Sequence, residues 1–238
     1  MSARTQSLLL LLFGAALLRL GTSDLLLRFV KDSARPWVLI SGAAMVLLAV
    51  WGLVADARRA APRAADEPVD EPVDEHGHGV ASRASWLIVL PVVAVLVIGP
   101  PALGRFTVQQ RDPITPIAVE DDFAPLPSTD PVRMRVFDFA LRAASKGRAS
   151  ITGRTVELTG FVAATRADGF TLARLVIACC AADAAPVTVR VRTPQKLPEN
   201  AWVRVTGRYA GQDPADSDLA TLTARTVTPI AAPAEPYD

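Results

Sequence analysis

The chain has 238 residues, with 25 Lys plus Arg against 24 Asp plus Glu, and half of its residues are hydrophobic. This near-neutral balance excludes nucleic-acid binding by net charge, because neutralising phosphates requires a clear basic excess. The mean hydropathy is +0.29 although 21% of the residues are charged, which indicates a strongly apolar part joined to an ordinary polar part. The two cysteines are adjacent, which excludes a disulfide framework.

Three apolar segments predict a membrane domain over residues 1–105. Transmembrane helices are expected at about 7–27, 36–55 and 84–104, since about 20 apolar residues cross a hydrocarbon core. A cleaved signal peptide is the alternative for the first segment, but bulky residues follow its apolar stretch where small ones are needed for cleavage. Arg19 and Asp24 interrupt this segment and lie either near the water boundary or in a polar patch that contacts a partner helix.

The basic residues near the spans do not decide the orientation by their number, because each side of the membrane carries five. With the N-terminus inside, the cytoplasmic side has Arg4, Arg58, Arg59, Arg63 and Arg83, and the other side has Arg28, Lys31, Arg35, Arg105 and Arg111. Arg58 and Arg59 form the densest basic cluster beside a span. They favour a multi-pass cell-membrane protein whose C-terminal domain is extracytoplasmic.

Residues 56–83 are predicted to form a disordered loop between the second and third spans. The sequence DEPVDEPVDE over 66–75 carries six carboxylates and a proline at every fourth position, which disfavours a helix and a packed core. His76 and His78 follow directly. The loop is either a plain spacer or a place where the two histidines transiently bind zinc, copper or nickel, although two ligands are too few for a stable zinc site.

The rest of the chain is predicted to be a proline-rich connector over 106–131 and an all-β domain over 132–238. One short helix is expected over 132–145, before Gly147. The predicted strands cover 154–164, 170–180, 187–193, 201–209 and 221–229. Five short strands favour an OB-like Greek-key barrel. A nucleic-acid role is not expected, because the aromatic residues are spread over different strands instead of forming a stacking platform.

The adjacent Cys179 and Cys180 have three interpretations. On a regular strand they point to opposite faces, so one of them would pack in the core. Alternatively, the two thiols and Asp183 form a site for zinc or copper or for thiol redox chemistry, with His76 and His78 as auxiliary ligands. The third interpretation is a vicinal disulfide, which would need an oxidising compartment and a strained turn. The C-terminal domain has no histidine and the chain has no familiar catalytic motif, so an enzyme is not expected.

Four segments resemble the YcgQ-like family of bacterial membrane proteins. They read GRTVELTGFV (153–162), LARLVIACCAADAAPV (172–187), AWVRVTG (201–207) and PIAAPAEPY (229–237). Members of this family are described as permease subunits of unknown activity, and some are linked to zinc homeostasis. The resemblance therefore implies a membrane-anchored accessory subunit whose partner is a polytopic permease. The alternative is a membrane-tethered metal-binding or thiol-redox protein that uses the adjacent cysteines.

Overall fold

A computed structural model describes residues 3–60, 90–91, 93–94, 103–114, 123–145, 148–214 and 216–238. The chain divides into two compact units. The first comprises Met1–Leu26 and Asp32–Pro101, and the second comprises Leu27–Lys31 and Ala102–Asp238. Leu27–Lys31, which we call the connecting segment, is thus part of the second unit although it lies between two helices of the first.

The described core of the first unit is a pair of helices, α1 (Ala3–Gly21) and α2 (Arg35–Ala60). Within the predicted first span, 7–27, the α-helix ends at Gly21. The side chains of Thr22 and Ser23 donate hydrogen bonds to carbonyls of the last turn, and a 3₁₀ turn begins at Asp24. Helix α2 is longer at both ends than the predicted second span, 36–55. Its residues 56–60 lie in the segment predicted to be a loop.

Small residues let α1 and α2 approach closely. A Cβ atom on Gly14 would lie 2.9 Å from the carbonyl oxygen of Gly42, and a Cβ on Gly42 would lie 3.1 Å from that of Gly14. Ala49 is fully buried in the same unit. Close backbone contact at small residues is typical of helices that pack inside a bilayer, where dispersion replaces the hydrophobic effect as the attraction between helices.

Polar groups close both ends of this helix pair, and apolar side chains cover its outer surface. Arg4 forms an ion pair with Asp56 at 2.7 Å, and the Nε atom of Arg35 donates to the carbonyl of Gly21. The large apolar side chains that are most exposed on α2 include Trp37 and Trp51, which are 70% and 72% exposed. Both helices are long and apolar enough to cross a membrane.

Most of the predicted third span and of the predicted histidine loop lies outside the described residues. Within 84–104, residues 90–91 and 93–94 are described and helical, whereas 103–104 are described and not helical. The loop is described only over 56–60, where it continues α2. His76 and His78 lie outside the described residues.

The second unit contains a closed five-stranded barrel, which confirms the predicted barrel. Its strands are β2 (Thr155–Arg166), β3 (Gly169–Val176), β4 (Ala185–Arg192), β5 (Trp202–Asp213) and β6 (Asp216–Pro229). Their order is β2-β3-β4-β6-β5, and antiparallel pairing of β5 with β2 closes the barrel. The β4–β6 pair is parallel and the other barrel pairs are antiparallel.

The predicted helix over 132–145 is partly wrong. Val132–Arg133 is a short strand, β1, which pairs in parallel with β2, so the helix begins only at Val136. This helix, Val136–Ala144, packs Phe139 and Ala143 into the barrel core. Two shorter helices, Arg105–Gln110 and Arg148–Ile151, complete the described unit, and the first of them lies within the predicted connector. In chain order these helices are α3 (Arg105–Gln110), α4 (Val136–Ala144) and α5 (Arg148–Ile151).

The last residues of the chain pack against β3. Tyr237 forms a parallel bridge with Leu175, and Arg174 forms an ion pair with Asp238 at 3.0 Å. The two charged side chains are only 10% and 8% exposed. Desolvation lowers the pKa of Arg174 and raises that of Asp238, so burial works against both charges, and their mutual contact offsets this effect only in part. The tail is thereby held against the strand that leads into the cysteines.

We expect the Gly14–Gly42 contact to determine the stability of the helix pair. Replacing Gly42 by Leu would force the backbones apart and cost about 1–3 kcal/mol, as overpacking of a tight contact usually does. Ala44→Leu is the matched control, because Ala44 is exposed on the same helix. Thermal unfolding of the full chain in detergent should show a lower midpoint for Gly42→Leu only, and equal midpoints for the two variants would contradict this packing.

Candidate functional site

The two cysteines lie in a loop between β3 and β4, residues 177–184, which we call the cysteine loop. The predicted strand 170–180 is wrong at its end, because β3 stops at Val176. Cys179 is therefore exposed and Cys180 half-buried, and neither is a core residue. The alternation expected of a regular strand does not apply here. The buried residues Ile177 and Ala184 fix the two ends of the loop to the apolar cluster beneath it.

The Asp183 carboxylate organises the loop. It accepts hydrogen bonds from the backbone N–H groups of Ala178 at 2.9 Å, Cys179 at 2.8 Å and Cys180 at 3.3 Å. Ala181–Asp183 forms a 3₁₀ turn that Cys180 caps, and the Cys180 sulfur accepts the N–H of Asp183 in return. This reciprocal pair of bonds is a capping box, with a thiol in the place usually taken by a hydroxyl. Because of these hydrogen bonds, the backbone leaves the direction of β3 after Val176.

The Cys179 thiol and the Asp183 carboxylate stabilise each other's protonation states. A hydrogen bond from this thiol, with further bonds from the backbone, lowers the pKa of Asp183 to about 2. The same thiol–carboxylate bond, with a second one to Cys180, raises the pKa of Cys179 to about 12. At neutral pH the pair is therefore a protonated thiol and an ionised carboxylate, and the thiol is a weak nucleophile.

The stability that this pair contributes spans a wide pH range. A lowered carboxyl pKa contributes fully above the ordinary value of about 3.9, and the contribution is lost as the pH falls towards 2. A raised thiol pKa contributes fully below the ordinary value of about 8.5, and the contribution is lost as the pH rises towards 12. Both contributions are complete between about pH 4 and pH 8.5.

The structure brings the three predicted ligands of this domain together. The ligand atoms of Cys179, Cys180 and Asp183 all lie within 4.8 Å of one another. Two thiolates on a tetrahedral zinc ion stand about 3.8 Å apart, as Zn–S bonds of about 2.3 Å require. A modest contraction would therefore let the set hold zinc or copper(I), with a coordination position left open. The carboxylate would then have to be shared with the backbone N–H groups that it already binds.

The connecting segment pairs with the cysteine loop. Val30 forms an antiparallel bridge with Cys180. The N–H of Lys31 donates to the carbonyl of Cys179 at 3.2 Å, and the N–H of Ala181 donates to the carbonyl of Phe29 at 2.7 Å. The backbone on both sides of Cys180 is thus bound to the chain that joins α1 to α2.

Two further side chains fix this arrangement, and sequence reasoning missed both. The Arg111 guanidinium donates to the carbonyls of Ala182 and Ala184, at 2.8 and 2.7 Å. The Tyr237 hydroxyl donates to the carbonyl of Arg28 at 2.8 Å and accepts the N–H of Leu103 at 3.3 Å. These contacts join residues far apart in sequence, and the only signal was that Tyr237 closes one of the segments that carry the family resemblance.

Two arginines of the barrel strands, Arg190 on β4 and Arg204 on β5, lie beside carboxylates. Arg190 is buried and forms an ion pair with Asp168, with Asp213 at 3.7 Å from its Nε atom. Arg204 lies 3.6 Å from Glu157. The charge of these two arginines is largely balanced locally, which weakens any attraction for a polyanion.

The C-terminal part of the chain matches a known protein family. Residues 140–237 match the model of the DUF1980 C-terminal domain. The C-terminal part of the chain is therefore similar to this domain. The matched range begins inside α4 and contains the whole barrel, the cysteine loop and Tyr237. A search of curated proteins finds no match to this chain.

We expect Asp183 to suppress the reactivity of Cys179. In a Cys180→Ser background, where serine keeps the helix cap, Asp183→Asn should return the thiol pKa towards its ordinary value. The rate of iodoacetamide labelling at pH 7.5 should then rise at least about tenfold, because only the thiolate reacts. The exposed Asp112→Asn variant is the control. A pH–rate profile distinguishes the causes: a shifted midpoint supports a pKa effect, whereas a faster rate with an unshifted midpoint would mean that only accessibility had changed.

Proposed function

We propose that this protein is a membrane-anchored accessory subunit of a permease, with three spans and an OB-like barrel, as in the YcgQ-like family. The observation that carries the proposal is the packing and the exposed surface of helices α1 and α2. α1 and α2 pack through glycines and expose large apolar side chains, including two tryptophans, on their outer surface. Such a surface suits lipid or the helices of a polytopic partner. The DUF1980 match and the two apolar helices are consistent with a membrane-associated protein.

The position of the connecting segment supports three crossings. Leu27–Lys31 belongs to the same compact unit as the barrel. If α1 and α2 cross the membrane, this segment and the barrel lie on one side and α2 returns the chain to the other. The chain must then cross once more before the barrel, and the apolar stretch 84–104 is long enough to do so. With Arg58 and Arg59 on the cytoplasmic side, the barrel is extracytoplasmic.

We expect the chain to depend on its partner. Expressed without its proposed polytopic permease partner, the full chain should fall several-fold in steady-state amount, because an unpartnered membrane subunit is triaged by proteases. The two proteins should also co-purify in detergent. The Cys179→Ser, Cys180→Ser double variant is the matched control and should keep both properties. Equal amounts with and without the partner, together with no co-purification, would reject the subunit role.

A second candidate function is metal binding at the cysteine loop, and the proximity of three ligand atoms favours it specifically. Two soft thiolates and a carboxylate form a donor set with an open position, which suits an ion that is passed on. His76 and His78 could serve as auxiliary ligands. In this role the barrel presents a metal ion to the permease.

We expect the full chain in detergent to bind about one equivalent of zinc or copper(I). Binding should disappear in the Cys179→Ser, Cys180→Ser variant, because only the thiolates are soft ligands. It should persist in Asp112→Asn, and His76→Ala with His78→Ala should change the affinity but not the stoichiometry. Isothermal titration with a competing chelator measures all four proteins. Wild-type binding that survives loss of both thiols would place the metal elsewhere.

A further inference from the structure

Two sets of hydrogen bonds meet at the backbone around Cys180. The N–H groups of residues 178–180 are held by Asp183. The next groups along the chain, the Cys179 carbonyl and the Ala181 N–H, are held by Lys31 and Phe29 of the connecting segment. One conformation of the loop therefore satisfies the carboxylate and the connecting segment at the same time.

A metal ion on the thiols and Asp183 would disturb that conformation. The ion would draw the carboxylate away from its N–H donors, and each thiol that binds it would lose its proton to solvent. The peptide groups of Cys179 and Cys180 would then be free to turn, and they are the groups that face the connecting segment. We infer that metal occupancy of the cysteine loop is coupled to release of the connecting segment from the barrel, an inference that rests on the proposed metal-binding function.

The remaining contacts confine the change to this part of the loop. Arg111 holds the carbonyls of Ala182 and Ala184, and Ala184 is fully buried, so the C-terminal end of the loop is fixed. Tyr237 holds the carbonyl of Arg28. The hydrogen bonds that break are therefore those of the Phe29 carbonyl and the Lys31 N–H. Because this segment continues into α1 and α2, metal loading of the barrel is communicated to the membrane anchor.

Coupling of this kind is reciprocal: if metal releases the segment, then loss of segment pairing must tighten metal binding by the same factor. Lys31→Pro removes the N–H that bonds to Cys179, whereas the control Lys31→Ala keeps it. In the full chain in detergent, Lys31→Pro should bind zinc about fivefold or more tightly than Lys31→Ala, the lower end of usual coupling strengths. Zinc should also speed amide exchange at Lys31 and Ala181 by a similar factor in the wild type, measured on peptides covering 26–34 and 176–186.

The outcomes separate the coupling from the metal site itself. Saturable zinc binding with equal affinities in the two Lys31 variants and unchanged exchange would overturn the coupling and leave the metal site standing. No saturable binding in the wild type would overturn both. Asp183→Ala without metal provides an independent check, because it removes both acceptor oxygens and so releases the same N–H groups: exchange at Lys31 should rise, and unchanged exchange would overturn the link between the loop and the segment.

Discussion

The barrel depends on one strand, β2, which pairs with three others. It pairs with β5 over Thr155–Phe161, with β3 over Phe161–Arg166 and with β1 at Val156 and Glu157. The change of partner occurs beside Gly160, where a Cβ atom would lie 2.6 Å from the carbonyl oxygen of Ala173. Only glycine allows β3 to approach so closely. The register of β2 with β3 then shifts between Val162 and Ala164, as it does at a β-bulge, a feature that bends strands.

Closure of the barrel also determines where the cysteines lie. The β3–β4 ladder ends at Val176 and Ala185, which leaves residues 177–184 as a loop. This loop and the C-terminal tail share one apolar cluster that includes Phe161, Leu175 and Tyr237. The connecting segment is hydrogen-bonded to both the loop and the tail. The barrel thus gathers two thiols, a carboxylate and the chain between two apolar helices into one place, although none of them belongs to a barrel strand.

The chemistry of the loop depends on whether the carboxylate is free. Held by three N–H groups and by the Cys179 thiol, Asp183 keeps that thiol protonated, and the pair behaves as a structural cap. In the proposed metal-binding role, an ion that displaces the thiol protons would convert the same groups into ligands. The cap and the proposed metal site would then be two states of one set of atoms, and the hydrogen bonds that order the loop would oppose metal binding. Such a site suits transient binding better than permanent storage.

The sequence alone determined the features that depend on composition and on the spacing of apolar residues along the chain. Long uncharged runs predicted the helices that are apolar enough to span a membrane, and alternating residues such as Val187, Val189 and Val191 predicted strands and hence a small barrel, because these patterns are local. Proximity in sequence also placed Asp183 beside the cysteines. The tertiary structure alone decided that β3 ends at Val176, that Cys179 is exposed, and that Arg111, Tyr237 and the connecting segment surround the loop. Those outcomes depend on hydrogen bonds between residues up to 209 positions apart, for which no local pattern exists.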